Sequence, residues 1–112
     1  MKQTGDVPKT RDDHSLSQID NNSFMIFGGF VDGSRVNECF IGTKEGNTIT
    51  WKEIAKDTSP KPDIRNSHSS VIIGGKAYIS GGQDDDNNKI DDMWELDLAS
   101  ETYKQIDKSS SP

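Results

Sequence analysis

Phe24-Met25-Ile26-Phe27-Gly28-Gly29 is the stretch on which the fold turns. Strand-forming residues run straight into a glycine pair. Fifty-three residues on, the arrangement returns as Ala77-Tyr78-Ile79-Ser80-Gly81-Gly82. A spacing near fifty residues is the mark of an array of similar β units, each too small to bury its apolar face alone.

The flanking residues repeat as well. Pro8 precedes Arg11-Asp12-Asp13-His14-Ser15, and Pro62 precedes Arg65-Asn66-Ser67-His68-Ser69, at an offset of 54. Pro-x-x-Arg-x-x-His-Ser therefore occurs twice. After each His-Ser comes a short strand-compatible run, Leu16 to Ile19 and Ser70 to Ile73, the second rich in β-branched residues. Asp20-Asn21-Asn22-Ser23 and Gly74-Gly75-Lys76 have the chemistry of tight turns between antiparallel strands. Beyond each glycine pair lies a variable loop, Phe30 to Arg35 and Gln83 to Lys89. A third strand is expected from Val36 to Ile41 and from Ile90 to Leu96, aligning Phe40 with Trp94. A fourth runs from Thr48 to Ile54 and from Glu101 to Ile106, aligning Trp51 with Tyr103.

Each unit thus reads as four short antiparallel strands without helical periodicity, the form of a propeller blade. The expected organisation is a connector or N-terminal tail over 1–10, units over 11–57 and 58–107, and a polar tail at a unit boundary over 108–112.

Bulk properties narrow the function. The hydrophobic fraction is 29% and the net charge is -6. Leu, Ile, Val and Phe make up about a fifth of the chain, close to the level at which a chain stops folding alone. An acidic surface repels phosphate backbones and anionic lipid, so nucleic-acid and membrane partners are not expected. One cysteine, Cys39, excludes an internal disulfide and fits a reducing compartment. The first residues carry no apolar signal core, no apolar run has the length of a membrane span, and a cytoplasmic location is expected.

The ordered residues resemble kelch repeats. That pattern has a glycine pair closing the second strand, an aromatic on the third, and a Trp or Tyr on the fourth about ten residues later. Here these are Gly28-Gly29, Phe40 and Trp51, then Gly81-Gly82, Trp94 and Tyr103. Arg11, His14 and Ser15, and again Arg65, His68 and Ser69, resemble the entry of one common subtype. Gly5-Asp6-Val7-Pro8 is similar to the connector between such repeats. The resemblance implies an all-β fold, two four-stranded antiparallel blades of a kelch-type β-propeller. Rings of this family have five to seven blades. The resemblance thus implies a partial propeller, or a chain that completes its ring with other copies or other chains. It also implies protein-protein interaction by a scaffold or adaptor, without catalysis. An accessory fragment of a kelch-containing enzyme and a structural module of a larger ring are the alternatives.

The residues with chemical potential have mostly structural readings. His14 and His68 occupy one repeat position, as do Arg11 and Arg65, which favours hydrogen bonding within the fold over catalysis. Asp84, Asp86, Asn88 and Glu95 match positions of a calcium loop, but Lys89 stands where that loop needs glycine. No metal or cofactor is therefore expected. Cys39 reads as a buried, inert thiol. Phe40, Trp51, Trp94 and Tyr103 read as packing between blades. Recognition is left to loops on a rigid scaffold. The contact candidates are Phe30, Arg35, Asp84, Asp85 and Asp86, and the acidic loop suits a basic protein partner.

Overall fold

The β-branched and aromatic runs on either side of each glycine pair do fold as antiparallel meanders. The computed structural model describes residues 2–11, 14–56, 58–66, 68–83, 86 and 88–106. Its strands are β1 (Lys2–Gly5), β2 (Ser15–Gln18), β3 (Ser23–Phe27), β4 (Phe30–Val31), β5 (Ser34–Arg35), β6 (Cys39–Glu45), β7 (Thr48–Ile54), β8 (Ser69–Ile73), β9 (Lys76–Ser80), β10 (Met93–Asp97) and β11 (Thr102–Ile106). One sheet has the order β1-β7-β6-β3-β2, the other β11-β10-β9-β8, and β4 and β5 form a separate small hairpin. Both main sheets are open. The described residues contain no helix.

The turns follow from their residues. Asn22 donates its backbone N–H to the Asp20 carboxylate at 2.9 Å, closing the β2–β3 turn. At the β10–β11 turn the Asp97 carboxylate accepts the backbone N–H of Ala99 at 2.9 Å and of Ser100 at 3.2 Å.

Pleating sends alternate side chains to opposite faces, and one face of each sheet meets the other unit. Met25, Phe27, Cys39 and Ile54 from the first unit bury against Ala77, Ile79, Trp94, Leu96 and Tyr103 from the second. Ring edges interlock across this seam. Phe27 meets His68 at 5.2 Å between centroids and Tyr103 at 6.3 Å, both edge to face. The Ser17 and Ser70 hydroxyls hydrogen-bond across the same boundary.

Several expected boundaries move, each for a local reason. The third strand of the first unit starts at Cys39 rather than Val36, because Val36 leaves the sheet to bridge Arg65 of the second unit. In the second unit it starts at Met93 rather than Ile90, since Asp92 is engaged by Arg65. The fourth strand starts at Thr102, because Glu101 turns with a φ of 58°. Residues Lys2–Gly5, expected as connector, add a fifth strand parallel to β7, with Trp51 Nε1 donating to Gln3 Oε1 at 2.8 Å. The first variable loop is not irregular; it is the β4–β5 hairpin.

The repeat aromatics divide by unit. Trp94 and Tyr103 lie in the seam. Phe40 and Trp51 lie on the far face of the first sheet. Phe40 is buried under the Arg11 guanidinium, 5.1 Å from its ring centroid, and Trp51 meets Phe24 edge to face at 5.3 Å.

Candidate functional site

Among the described residues the paired arginines each make several hydrogen bonds. Arg65 is wholly buried. Its Nε donates to the Asp63 carbonyl at 3.1 Å and its Nη1 to the Gly81 carbonyl at 3.1 Å. The same guanidinium grips both Asp92 oxygens, at 2.6 and 3.1 Å. Arg11 repeats this one unit earlier. It donates to the carbonyls of Lys9 at 3.1 Å and Gly28 at 3.3 Å, and to Glu38 Oε1 at 3.0 Å. A guanidinium is the group that can satisfy two backbone carbonyls and a carboxylate at once. Burial alone would raise the Asp92 carboxyl, but Arg65 and the Trp94 indole N–H hold it below the usual carboxylate range. Sequence reasoning singled out the arginines and missed their partners. The available signal was Glu38 and Asp92 at an offset of 54, each two residues ahead of the third-strand aromatic.

The first glycine pair is a point of close approach between the units. Gly28 has a φ of 68°, and a Cβ there would sit 2.8 Å from the Arg65 carbonyl oxygen and 2.7 Å from His68 Cε1. Gly29 donates its N–H to that same Arg65 carbonyl at 3.0 Å. Only a residue without a side chain fits at this seam.

The two histidines of the repeat differ in their surroundings. His68 Nε2 meets Ser15 Oγ at 2.8 Å, joining the second unit to the first. His14, its repeat counterpart, is exposed. Cys39 is buried, and burial pushes its thiol up to about 12, with the nearby Tyr103 hydroxyl acting weakly in the opposite sense. Glu95 lies in mid-sheet, paired with Lys76 at 3.0 Å. Asp84 of the calcium-loop spacing lies outside the described residues, and the described residues hold no group of three His, Cys, Asp or Glu fit for a metal ion.

Of the contact candidates, Phe30 and Arg35 come together. They face each other in the register of β4 and β5. The intervening Asp32 and Gly33 have φ of 51° and 86°, both left-handed, as a two-residue hairpin turn requires. The Arg35 guanidinium lies 5.0 Å above the Phe30 ring. Arg35 Nε donates to Asn66 Oδ1. Asn66 in turn exchanges backbone hydrogen bonds with Gln83, at 3.1 and 2.9 Å, and Gln83 bridges Lys89. The hairpin, Asn66 of the inter-unit connector, Gln83 and Lys89 are therefore joined by hydrogen bonds at one end of the sheets. Asp86, on that loop, is exposed. Asp84 and Asp85 lie outside the described residues. Asn66 and Gln83 were not foreseen, because Asp12 stands at the first-repeat position of Asn66 and no duplication marks it.

A family model described as the KLHDC2/KLHL20/DRC7 Kelch-repeats domain matches residues 1–112. The chain belongs to the kelch-repeat family. Among its kelch relatives, Adagio protein 3 of Arabidopsis thaliana is 35% identical over 108 residues, covering 94% of this chain and 17% of the relative. The Rab9 effector protein with kelch motifs of Mus musculus is 34% identical over 80 residues, covering 70% of this chain and 21% of the relative. An F-box/kelch-repeat protein of Arabidopsis thaliana is 30% identical over 105 residues, covering 88% and 22%. The chain thus spans about a fifth of the length of these curated relatives. The two meanders are kelch blades.

Proposed function

We propose that this chain is a protein-interaction module without catalysis, and that it binds through the end of the blades carrying the β4–β5 hairpin. The observation that supports this most is the Phe30–Arg35 pair. An aromatic ring and a guanidinium are held together at the base of a tight hairpin, and Asn66 anchors them to the next blade. Aromatic and arginine side chains are the residues that most often dominate binding energy at protein interfaces. Their fixed geometry lowers the entropy that a partner must overcome. The family match and the relatives, one named as an effector and another as an F-box protein, agree with an adaptor or scaffold role. The partner is a protein with a basic segment that meets the acidic run Asp84, Asp85 and Asp86. The cytoplasm is the proposed location, consistent with the single buried thiol.

Site-specific photo-crosslinking tests this. A benzophenone side chain placed at residue 30 is expected to capture a discrete partner from extract of the source cells. The same probe at residue 75, in the β8–β9 turn at the opposite end, is expected to capture none. Arg35→Glu should reduce the residue-30 adduct severalfold. Equal capture from both ends, or an adduct indifferent to Arg35→Glu, would count against this surface.

A further inference from the structure

Three of the four large hydrophobic residues that stand exposed among those described are Leu16, Val71 and Ile73, at 62%, 51% and 62%. All three fall on the two sheet faces that are turned outward. Their positions are related by the repeat. Shifting by 54 carries Ser17 onto Val71 and Leu16 onto Ser70. Ser17 and Ser70 are the two residues whose hydroxyls touch across the seam between the blades. Ile73 corresponds to Ile19, which packs against the seam core.

The outer face of the second blade is therefore the repeat counterpart of the first blade's covered face. The outer face of the first blade, with Phe40 and Trp51, is the counterpart of the second blade's covered face, with Trp94 and Tyr103. His14 and Ser69, both exposed, correspond to His68 and Ser15, which meet in the seam. The two ends of the chain are thus complementary to each other by the same operation that joins its halves. Where the internal seam has a serine pair, the outer one would have leucine against valine, which gains from burial.

We propose that a second copy of this chain docks head to tail, its first blade on the second blade of its neighbour, with Leu16 of one copy against Val71 of the next. The contact is heterologous, so each copy keeps one free end and association can continue.

The test uses Leu16→Glu and Val71→Glu in the otherwise intact chain, each checked for native circular dichroism, so that the two altered faces also repel each other. Both residues are solvent-facing in the single chain, so both variants should fold. In sedimentation velocity the wild type is expected to exceed its monomer mass of 12.4 kDa, rising with concentration. Each variant alone is expected to lose that association at least tenfold. Mixed together they are expected to form a one-to-one dimer and nothing larger, because one supplies an intact Val71 face and the other an intact Leu16 face. A monomeric wild type at every concentration would overturn the proposal and leave these faces to unlike chains. So would association unaffected by either variant, or a mixture that stays monomeric.

Discussion

Replacing Arg65 by methionine should damage this protein more than the same change at Arg11, although the two arginines occupy one repeat position. Methionine keeps most of the side-chain length and removes the charge. At Arg65 it leaves the Asp92 carboxylate, 19% exposed at its side chain, without its bidentate partner, and it frees the Gly81 and Asp63 carbonyls. Breaking a buried ion pair by removing one partner costs about 3–5 kcal/mol. Total stability of a small domain is about 5–15 kcal/mol, so this loss takes a large share of it. Glu38, the partner of Arg11, has a side chain 38% exposed and a single contact at 3.0 Å, so water can replace the arginine. There the loss should be about 1.5–3 kcal/mol, the range for a hydrogen bond to a charged group. Urea unfolding followed by tryptophan fluorescence measures both. Adding Asp92→Asn to Arg65→Met should restore part of the stability, because it removes the stranded charge and keeps an acceptor for Trp94. Equal losses at the two positions, or a double variant less stable than Arg65→Met, would refute the reasoning.

Acid should act on the same clamp. The Asp92 carboxyl is held below its ordinary range when folded, so its contribution is present above the unfolded value of about 3.9 and is lost as pH falls through the lower folded value. Urea midpoints between about pH 2 and pH 6 should therefore fall less steeply in Asp92→Asn than in the wild type. Gly28→Ala should destabilise more than Gly74→Ala. Both have positive φ, worth about 1–2 kcal/mol in an L-residue, but a Cβ at Gly28 also meets the Arg65 carbonyl at 2.8 Å, whereas at Gly74 nothing lies within 4 Å. Cys39 should resist a thiol reagent at neutral pH until urea unfolds the chain, since burial pushes its thiol up to about 12.

The architecture was legible because it is written twice. The glycine pairs, the arginines and the fourth-strand aromatics stand at matched offsets, and each has a backbone or packing reason to recur. What escaped was the part that is not duplicated. The β4–β5 hairpin depends on Asp32-Gly33, for which the second loop has no counterpart in register. The tie from Arg35 to Asn66 joins residues 31 apart in sequence, and no local signal announces it. Phe40 and Trp51 hold the blade positions of Trp94 and Tyr103, yet within this chain they face away from the seam. Repeat equivalence gives a residue its position on a blade, but what covers it depends on the neighbouring blade. Strand starts moved where a residue was engaged outside its own sheet: Val36 bridges Arg65 across the seam, and Asp92 is held by the Arg65 side chain.

The central claim is that two copies of one meander stack face to face across a seam built from Phe27, His68 and Tyr103. A NOESY spectrum of the folded chain tests it directly. The account predicts cross-peaks from the Phe27 ring to the His68 and Tyr103 rings, given centroid separations of 5.2 and 6.3 Å. Two meanders with intact cross-strand peaks and none between Phe27 and those rings would contradict it.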